Sequence, residues 1–186
     1  MNLKQRCKQE KTTVHGALSA AMLFGAIQIS AFNEPISFSC SSSINLRKYN
    51  LPEIGRNYIG CFISRVDNIH TLTENTNFWD LARECKKQVN SSINETINNL
   101  INGKGFDNIS RLSIRKRLEE NSTGRIQTIT ISNCGKFDLA KSYGKLKIKE
   151  IYFTAGQHIF GPCLWLGAVT FHQQLFCSFV HVTPLI

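Results

Sequence analysis

The stretch KTTVHGALSAAMLFGAIQIS, residues 11–30, decides the fold, because it can be either the apolar part of a signal peptide or the first buried helix of a domain. A secretory signal needs a basic lead, an apolar run and a small-residue cleavage site. Here Glu10 interrupts the basic lead, and Ile29 is bulky where a small side chain is usual before cleavage after Ala31. The signal interpretation is therefore the weaker one.

The same residues meet the requirements of a buried helix. Thr12 or Thr13 can cap its N-terminus, and the run continues without proline until Pro35. A membrane span needs about 20 apolar residues, which this run does not reach. The sequence predicts a basic N-terminal extension over residues 1–11, followed by a folded domain over residues 12–186.

Length and cysteine content narrow the class of protein. With 186 residues, 42% of them hydrophobic, the chain can form one domain with a substantial core. Seven cysteines are present, an odd number, without a CxxC pair. This scatter is typical of reduced, mostly buried thiols and predicts a cytoplasmic protein.

The basic charge of the chain raises the question of an anionic partner. The formal net charge is +9, and in GKLKIKE, residues 144–150, lysines alternate with Leu146 and Ile148. This is the period of a strand with one wet face and one buried face, so we predict solvated lysines on a half-buried strand. No aromatic stacking pattern accompanies the charge, and we therefore expect no nucleic-acid partner. A phosphate-bearing ligand or an acidic carrier protein stays open as an alternative.

Local patterns predict two strands and then a long helix. Residues 36–47 indicate a first strand. Residues 58–72 indicate a second, whose β-branched and aromatic side chains occupy both faces, as is typical of an interior strand. From Phe78 to Ile101 apolar side chains recur at steps of three and four, and Asn77 can cap this amphipathic helix.

The end of the long helix and the last third of the chain complete the predicted fold. Asn102 and Gly103 provide a left-handed stop, and a shorter helix is predicted over residues 108–120. Four strand-like runs follow, with residues 172–174 forming a hairpin between the last two. The predicted fold class is α/β, with a mixed, largely antiparallel sheet covered by helices.

Residue chemistry alone does not predict an enzyme. The sequence contains no GxSxG, HExxH, P-loop or GxGxxG motif, and no spacing typical of metal ligands. His158, in the glycine-flanked segment TAGQHIFGP, is a candidate pocket residue. Asn133 and Asp138 form a polar cluster after a strand, for which we expect a turn-forming role. Structural or exposed roles are expected for the other four histidines, His15, His70, His172 and His181.

Six motifs occur in one order along the chain: TTVHGALSAAMLFGA, INLRKY, IGCFISRV, NFWDLARECKKQ, ISNCGKFDLAKSYGKLKIKEIYFTAG and LWLGAVTFHQQLFCSF. In this order they resemble the C-terminal half of the condensation-domain and alcohol acyltransferase superfamily, which includes the phthiocerol dimycocerosyl transferases. The resemblance covers about residues 12–185. It implies one half of the two-lobed CoA-dependent acyltransferase fold, in which two similar halves form a V around a tunnel where acyl donor and acceptor meet.

The resemblance also implies what this half does and lacks. In the superfamily, the second histidine of an HHxxxDG motif in the N-terminal half is the general base that takes a proton from the acceptor. This sequence contains no HH pair, so the resemblance implies a truncated lobe that is inactive alone and holds no catalytic residue. It places Ser132, Asn133 and His158 on the substrate side of the tunnel.

The implied donor is an acyl-CoA or a phosphopantetheine thioester, with no cofactor bound to the chain itself, and the implied acceptor is a hydroxyl or an amine. The implied partners are an N-terminal acyltransferase half or an acyl carrier protein. A lobe without its partner would expose apolar surface, so we also expect marginal solubility.

Two other functions stay open. The chain can be a non-catalytic module that binds an acyl chain or an acidic carrier protein through its lysines. It can also be a small secreted protein with a mature N-terminus after Ala31, if the signal interpretation holds.

Overall fold

The computed structural model describes residues 2–29, 35–55, 57–102, 125, 127–156 and 161–183. Its helices are α1 (Leu3–Gln9), α2 (Val14–Ile29) and α3 (Phe78–Ile101), and a 3-10 turn covers Arg47–Tyr49. Its strands are β1 (Ile36–Asn45), β2 (Ile63–Leu72), β3 (Ile129–Phe137), β4 (Ser142–Tyr143), β5 (Leu146–Lys147), β6 (Leu164–Phe171) and β7 (Gln174–His181).

Five strands form one mixed sheet in the order β2-β1-β3-β6-β7. The central pairs β1–β3 and β3–β6 are parallel, and the outer pairs β1–β2 and β6–β7 are antiparallel. Strands β4 and β5 form a separate antiparallel pair. Helices α2 and α3 pack against the sheet, which confirms the predicted mixed sheet covered by helices.

Helix α2 confirms the helical interpretation of the stretch that begins at residue 11. The Thr13 hydroxyl accepts a hydrogen bond from the Gly16 amide at 3.0 Å, which satisfies one free amide of the first turn. Ala20 and Leu23 are completely buried. The Thr12 hydroxyl donates to the Ala82 carbonyl at 2.6 Å and ties the start of α2 to α3. The apolar run is therefore a core helix of this domain.

Helix α3 has the bounds that its apolar period predicts. The Asn77 side chain accepts hydrogen bonds from the amides of Trp79 and Asp80, as expected of an N-cap. At the other end the helix finishes before Asn102, which has φ −85°, so a left-handed residue in the predicted stop would have to be Gly103. Gly103 and the shorter helix predicted over residues 108–120 lie outside the described residues.

The prediction that the second strand, β2, lies in the interior of the sheet is wrong. Among the described residues it pairs with β1 alone, so it lies at the edge of the sheet. Val66, His70 and Leu72 are buried, but Ile63 and Ile69 are 65% and 68% exposed. Apolar residues on both faces of this strand thus reflect one core face and one exposed apolar face.

The prediction of a half-buried strand at the lysine run, residues 144–150, is also wrong. Only Leu146–Lys147 is a strand, it pairs with Ser142–Tyr143, and Leu146 is 75% exposed. The alternation is present in the sequence, but the segment has no sheet face to bury. The predicted hairpin at residues 172–174 is confirmed: His172 and Gln173 form the turn with φ of 43° and 67°.

The seven cysteines are all free thiols, although fewer are buried than predicted. Cys7, Cys40 and Cys85 are buried, whereas Cys61 and Cys134 are exposed. Burial raises the pKa of the Cys40 thiol to about 12. Of the helices in the described part of the chain, none combines the length and apolar character needed to cross a membrane.

Candidate functional site

The candidate site lies at the carboxyl edge of the sheet. Strands β1, β3 and β6 are parallel, so their carboxyl ends meet at one edge, which is where open α/β sheets bind ligands. Two cavities open there. We call them the β1 cavity and the α1 cavity after an element that lines each.

The β1 cavity has a volume of about 360 Å³. Its wall is formed by five parts of the fold: the end of β1, the 3-10 turn, the start of α2, one side of α3 and one residue of β3. Its lining residues are Thr13, His15, Ser43, Ile44, Asn45, Lys48, Tyr49, Lys86, Val89, Asn90, Ile93 and Asn133. Amides, hydroxyls, one imidazole and two ammonium groups therefore face this space together with aliphatic side chains.

His15 is held in a fixed orientation at the wall of the β1 cavity. Its Nε2 atom lies 2.8 Å from the buried Ser42 hydroxyl. Burial lowers the pKa of His15, so the ring is neutral at pH 7 and can accept or donate one hydrogen bond. The expected structural role holds for the bond to Ser42, but the ring also faces the cavity. Sequence reasoning missed this, because no motif marks where the start of α2 meets the sheet edge.

Asn133 lines both cavities. Its side-chain oxygen accepts a hydrogen bond from the Gly135 amide at 2.9 Å, and Gly135 has φ +69°. The register with β6 shifts between Asn133 and Lys136, so this local turn is a β-bulge inside β3. The turn-forming role expected for Asn133 is present, and the bulge puts the residue at the junction of the two cavities.

Of the other polar residues considered from the sequence, Ser132 and Asp138 do not join Asn133 at the cavities. Ser132 precedes it in the strand and points to the opposite face, because successive side chains alternate, and it lines neither cavity. His158 lies outside the described residues. Asp138 forms an ion pair with Lys136 at 2.5 Å and does not line the cavities.

The α1 cavity is the larger of the two, at about 610 Å³. Helix α1 forms one wall, and the bulge of β3 with the turn-proximal ends of β6 and β7 forms the other. Its lining residues are Asn2, Leu3, Lys4, Gln5, Lys8, Val14, Asn133, Gly135, Lys136, Thr170, Gln173 and Leu175. Three lysines and no carboxylate line it, so the cavity is electropositive.

A cluster elsewhere, in which His70 and Cys85 are buried and Glu84 is half exposed, has the order of a catalytic triad but cannot act as one. His70 Nδ1 lies 3.3 Å from Glu84 Oε1, and His70 Nε2 lies 3.7 Å from Cys85 Sγ. Cys85 is 1% exposed, and burial raises the pKa of its thiol and lowers the pKa of His70. A protonated thiol closed off from solvent cannot attack a substrate. His70 and Cys85 are therefore core residues, and Glu84 lies at their solvent-facing side.

Within the described ranges, the carboxyl edge can bind and orient a ligand, and no nucleophile with a partnered base lies in either cavity. The same residues include no group of three or more histidine, cysteine or acidic side chains that could hold a metal ion. The available chemistry is hydrogen bonding from neutral groups near His15 and Asn133, and charge attraction from lysines.

Comparisons with known proteins agree with this fold. A family model described as the C-terminus of phthiocerol/phthiodiolone dimycocerosyl transferase matches residues 1–159. A comparison with curated proteins found no significant match. The chain is similar to the structure of polyketide synthase associated protein 5 from Mycobacterium tuberculosis, with TM-score 0.67, 15% identity and 95% of this chain covered. It is also similar to the EpoB NRPS cyclization-docking bidomain from Sorangium cellulosum, with TM-score 0.58, 14% identity and 97% of this chain covered.

These likenesses confirm the fold, and they concern only part of each solved protein. The chain spans 42% of the polyketide synthase associated protein and 34% of the EpoB bidomain. The same holds for the epimerization domain of tyrocidine synthetase B, with TM-score 0.52, 14% identity, 93% of this chain covered and 37% of that chain.

Proposed function

The chain belongs to the family of phthiocerol/phthiodiolone dimycocerosyl transferase C-termini, within the condensation-domain and acyltransferase superfamily, and on this premise we propose that it is the C-terminal lobe of an acyltransferase. The proposed reaction transfers an acyl group from a thioester, carried by coenzyme A or a carrier protein, to a hydroxyl or an amine. The family match over residues 1–159 is the observation that carries this proposal.

The geometry of the carboxyl edge supports the proposal. Donor and acceptor must meet at the lobe surface that faces the partner lobe, and here two neighbouring cavities share Asn133 as a common lining residue. The β1 cavity offers the neutral His15 ring, held by Ser42, and side-chain amides to orient a carbonyl or hydroxyl. Such preorganised groups contribute by positioning the reacting atoms.

Among the residues that the structure describes, none in either cavity is placed to take up the proton released in this reaction. An acceptor hydroxyl or amine loses a proton as it attacks the thioester carbonyl, and a general base must accept that proton. The sequence has no HH pair, and His15 already uses Nε2 in its bond to Ser42. We therefore assign the base to an HHxxxDG motif in an N-terminal lobe. His15 and Asn133 act as positioning residues.

Reconstitution tests this function. The purified chain is mixed with a separately expressed N-terminal lobe of a family relative that carries HHxxxDG, and thiol release from an acyl-CoA is followed with an alcohol acceptor. We expect turnover from the mixture and none from either lobe alone. The His15→Ala variant should lower turnover, whereas the matched variant of an exposed histidine, His181→Ala, should not. Absence of both association and turnover with N-terminal lobes from several relatives would contradict the proposal.

A non-catalytic binding module is the second candidate function. The lysines of the α1 cavity favour it, since they can attract an acidic carrier protein without any chemistry. Association with a carrier protein but no turnover in any reconstituted mixture would support this alternative. For either function we propose a cytoplasmic location, because the odd number of unpaired cysteines suits a reducing compartment.

A further inference from the structure

The charged side chains of helix α1 form ion pairs on one side of the helix only, among the residues that the structure describes. Arg6 pairs with Glu10 at 2.7 Å and lies over the Trp79 ring at 5.2 Å. Arg83 of α3 bonds to the same Glu10 carboxylate at 3.2 Å. The Glu10 carboxylate is therefore paired with the two arginines on the side of α1 that faces α3.

The opposite side of α1 carries two lysines that face the α1 cavity. Lys4 and Lys8 are exposed and stand one helical turn apart. Within the part of the chain that the structure describes, neither is within ion-pair distance of a carboxylate. Like charges at this spacing repel each other at a cost to the stability of the helix. A bound anion between them would remove that cost.

The facing wall adds a third ammonium group and neutral donors. Lys136 follows the bulge of β3, and its pairing with Asp138 at 2.5 Å leaves it 69% exposed at the rim. Gln173 of the hairpin turn and Thr170 of β6 lie on the same wall. Lys4 and Lys8 supply the main attraction, because the Lys136 charge is partly balanced by Asp138.

We propose that the α1 cavity binds a phosphate ester, with Lys4 and Lys8 as the principal contacts and Lys136 at the rim. Lysine is a common point-charge ligand of phosphate, and the volume of about 610 Å³ lies within the usual range for small-molecule sites. The inference rests on the proposed function: a thioester donor carries phosphate at one end, and the shared residue Asn133 would let its neutral arm continue into the β1 cavity.

The same chemistry has two sources, free coenzyme A and a carrier protein with a phosphopantetheine arm. Binding of each to the purified chain is measured by calorimetry, with inorganic pyrophosphate as a third probe. The test variant is Lys4→Gln with Lys8→Gln. The matched control is Lys145→Gln with Lys149→Gln, which removes the same charge from exposed lysines outside the cavity.

We expect the cavity variant to weaken binding of at least one phosphate probe about ten-fold or more, with the control variant within two-fold of wild type. Loss for coenzyme A identifies the free donor, and loss for the carrier protein alone identifies the tethered one. Equal weakening in both variants would show unspecific charge attraction and overturn the proposal. So would failure of all three probes to bind the wild-type chain.

A measurement on the wild-type chain covers the case in which the variant fails to fold. Surface lysines are acetylated with and without the bound probe, and the modified positions are read by mass spectrometry. Protection of Lys4 and Lys8, without protection of Lys145, supports the site, and equal protection of all three contradicts it. Neither experiment needs an N-terminal lobe or turnover, so failure here is separable from failure of the acyltransferase proposal.

Discussion

Strand β3 contributes to two regions of opposite character: the face covered by helices and the carboxyl edge. Ile129 and Ile131 are completely buried in the core beneath α2 and α3. Two residues further on, Asn133 lines two cavities, and the bulge interrupts the ladder. The first half of this strand is thus core packing, and the second half is a break in the ladder that lines open cavities.

The two halves of β3 can be compared directly by truncating one side chain in each. Ile131→Ala should lower the free energy of unfolding by about 2–5 kcal/mol, because it leaves a cavity in the core. Asn133→Ala should cost only about 0.5–1.5 kcal/mol, the contribution of its single bond to Gly135. Urea unfolding of the two variants measures both. Equal losses would mean that the carboxyl edge is packed as tightly as the core.

Two glycines of α2 differ in the same way, because one lies close to another backbone and the other does not. A Cβ at Gly16 would lie 2.6 Å from the Ala82 carbonyl oxygen and 2.7 Å from the Thr12 hydroxyl, whereas one at Gly25 meets no atom within 4 Å. Gly16→Ala should cost about 1–3 kcal/mol through overpacking, and Gly25→Ala should stabilise by about 0.5–1 kcal/mol. Thermal unfolding followed by circular dichroism distinguishes the two signs. If Gly16→Ala proves neutral, α2 and α3 are less closely packed than described.

The cap of α3 tests how much of the covering layer depends on local bonds rather than on burial. Asn77→Ala removes the acceptor for the amides of Trp79 and Asp80 and should cost about 1 kcal/mol. Asn77→Asp keeps an acceptor and should stay within a few tenths of a kcal/mol of wild type. The measurement is again chemical unfolding. Equal losses for the two substitutions would contradict the capping role.

The smallest expected effect at neutral pH concerns His70, which lies in the core between Glu84 and Cys85. Burial lowers its pKa in the folded chain from the ordinary 6.5, with Glu84 opposing that shift. As the pH falls through 6.5, the unfolded chain takes up a proton that the folded chain does not, so stability decreases on acidification. His70→Gln should make stability between pH 7.5 and 5.5 less dependent on pH, while the exposed control His181→Gln should keep the wild-type slope. An unchanged slope in His70→Gln would argue against this.

The elements with strong local signals were predictable from sequence. The period of α3 and its Asn77 cap involve residues a few positions apart, as do the start of α2 at Thr13 and the hairpin turn at His172. The position of β2 at the edge was not predictable, because it depends on which strands pair across long separations. Leu146 was expected to be buried for a related reason: alternation shows a strand-like period but not whether a sheet face exists to cover it.

Of the described residues that line the cavities, Asn133 was predictable, because its turn-forming side chain lies in a short polar segment, and the prediction for His158 stays a prediction. The position of His15 beside β1 was not predictable, because it depends on how the start of α2 packs against α3. Lys4 and Lys8 looked like a basic extension in sequence, and only the folded chain turns them toward a shared cavity. The division at residue 12 stays a prediction, although α1 within residues 1–11 packs Cys7 into the interior.

The strand order also has a consequence for how the molecule is made. The outer pairs β1–β2 and β6–β7 are sequence neighbours, whereas the seam between β1 and β3 joins residues such as Ser39 and Thr128, which are 89 positions apart. Closing so long a loop is slow compared with forming a hairpin. During synthesis, the edge of β1 that pairs with β3 stays without its strand partner until β3 leaves the ribosome. The chain is therefore most prone to aggregate while only its first half has been synthesised.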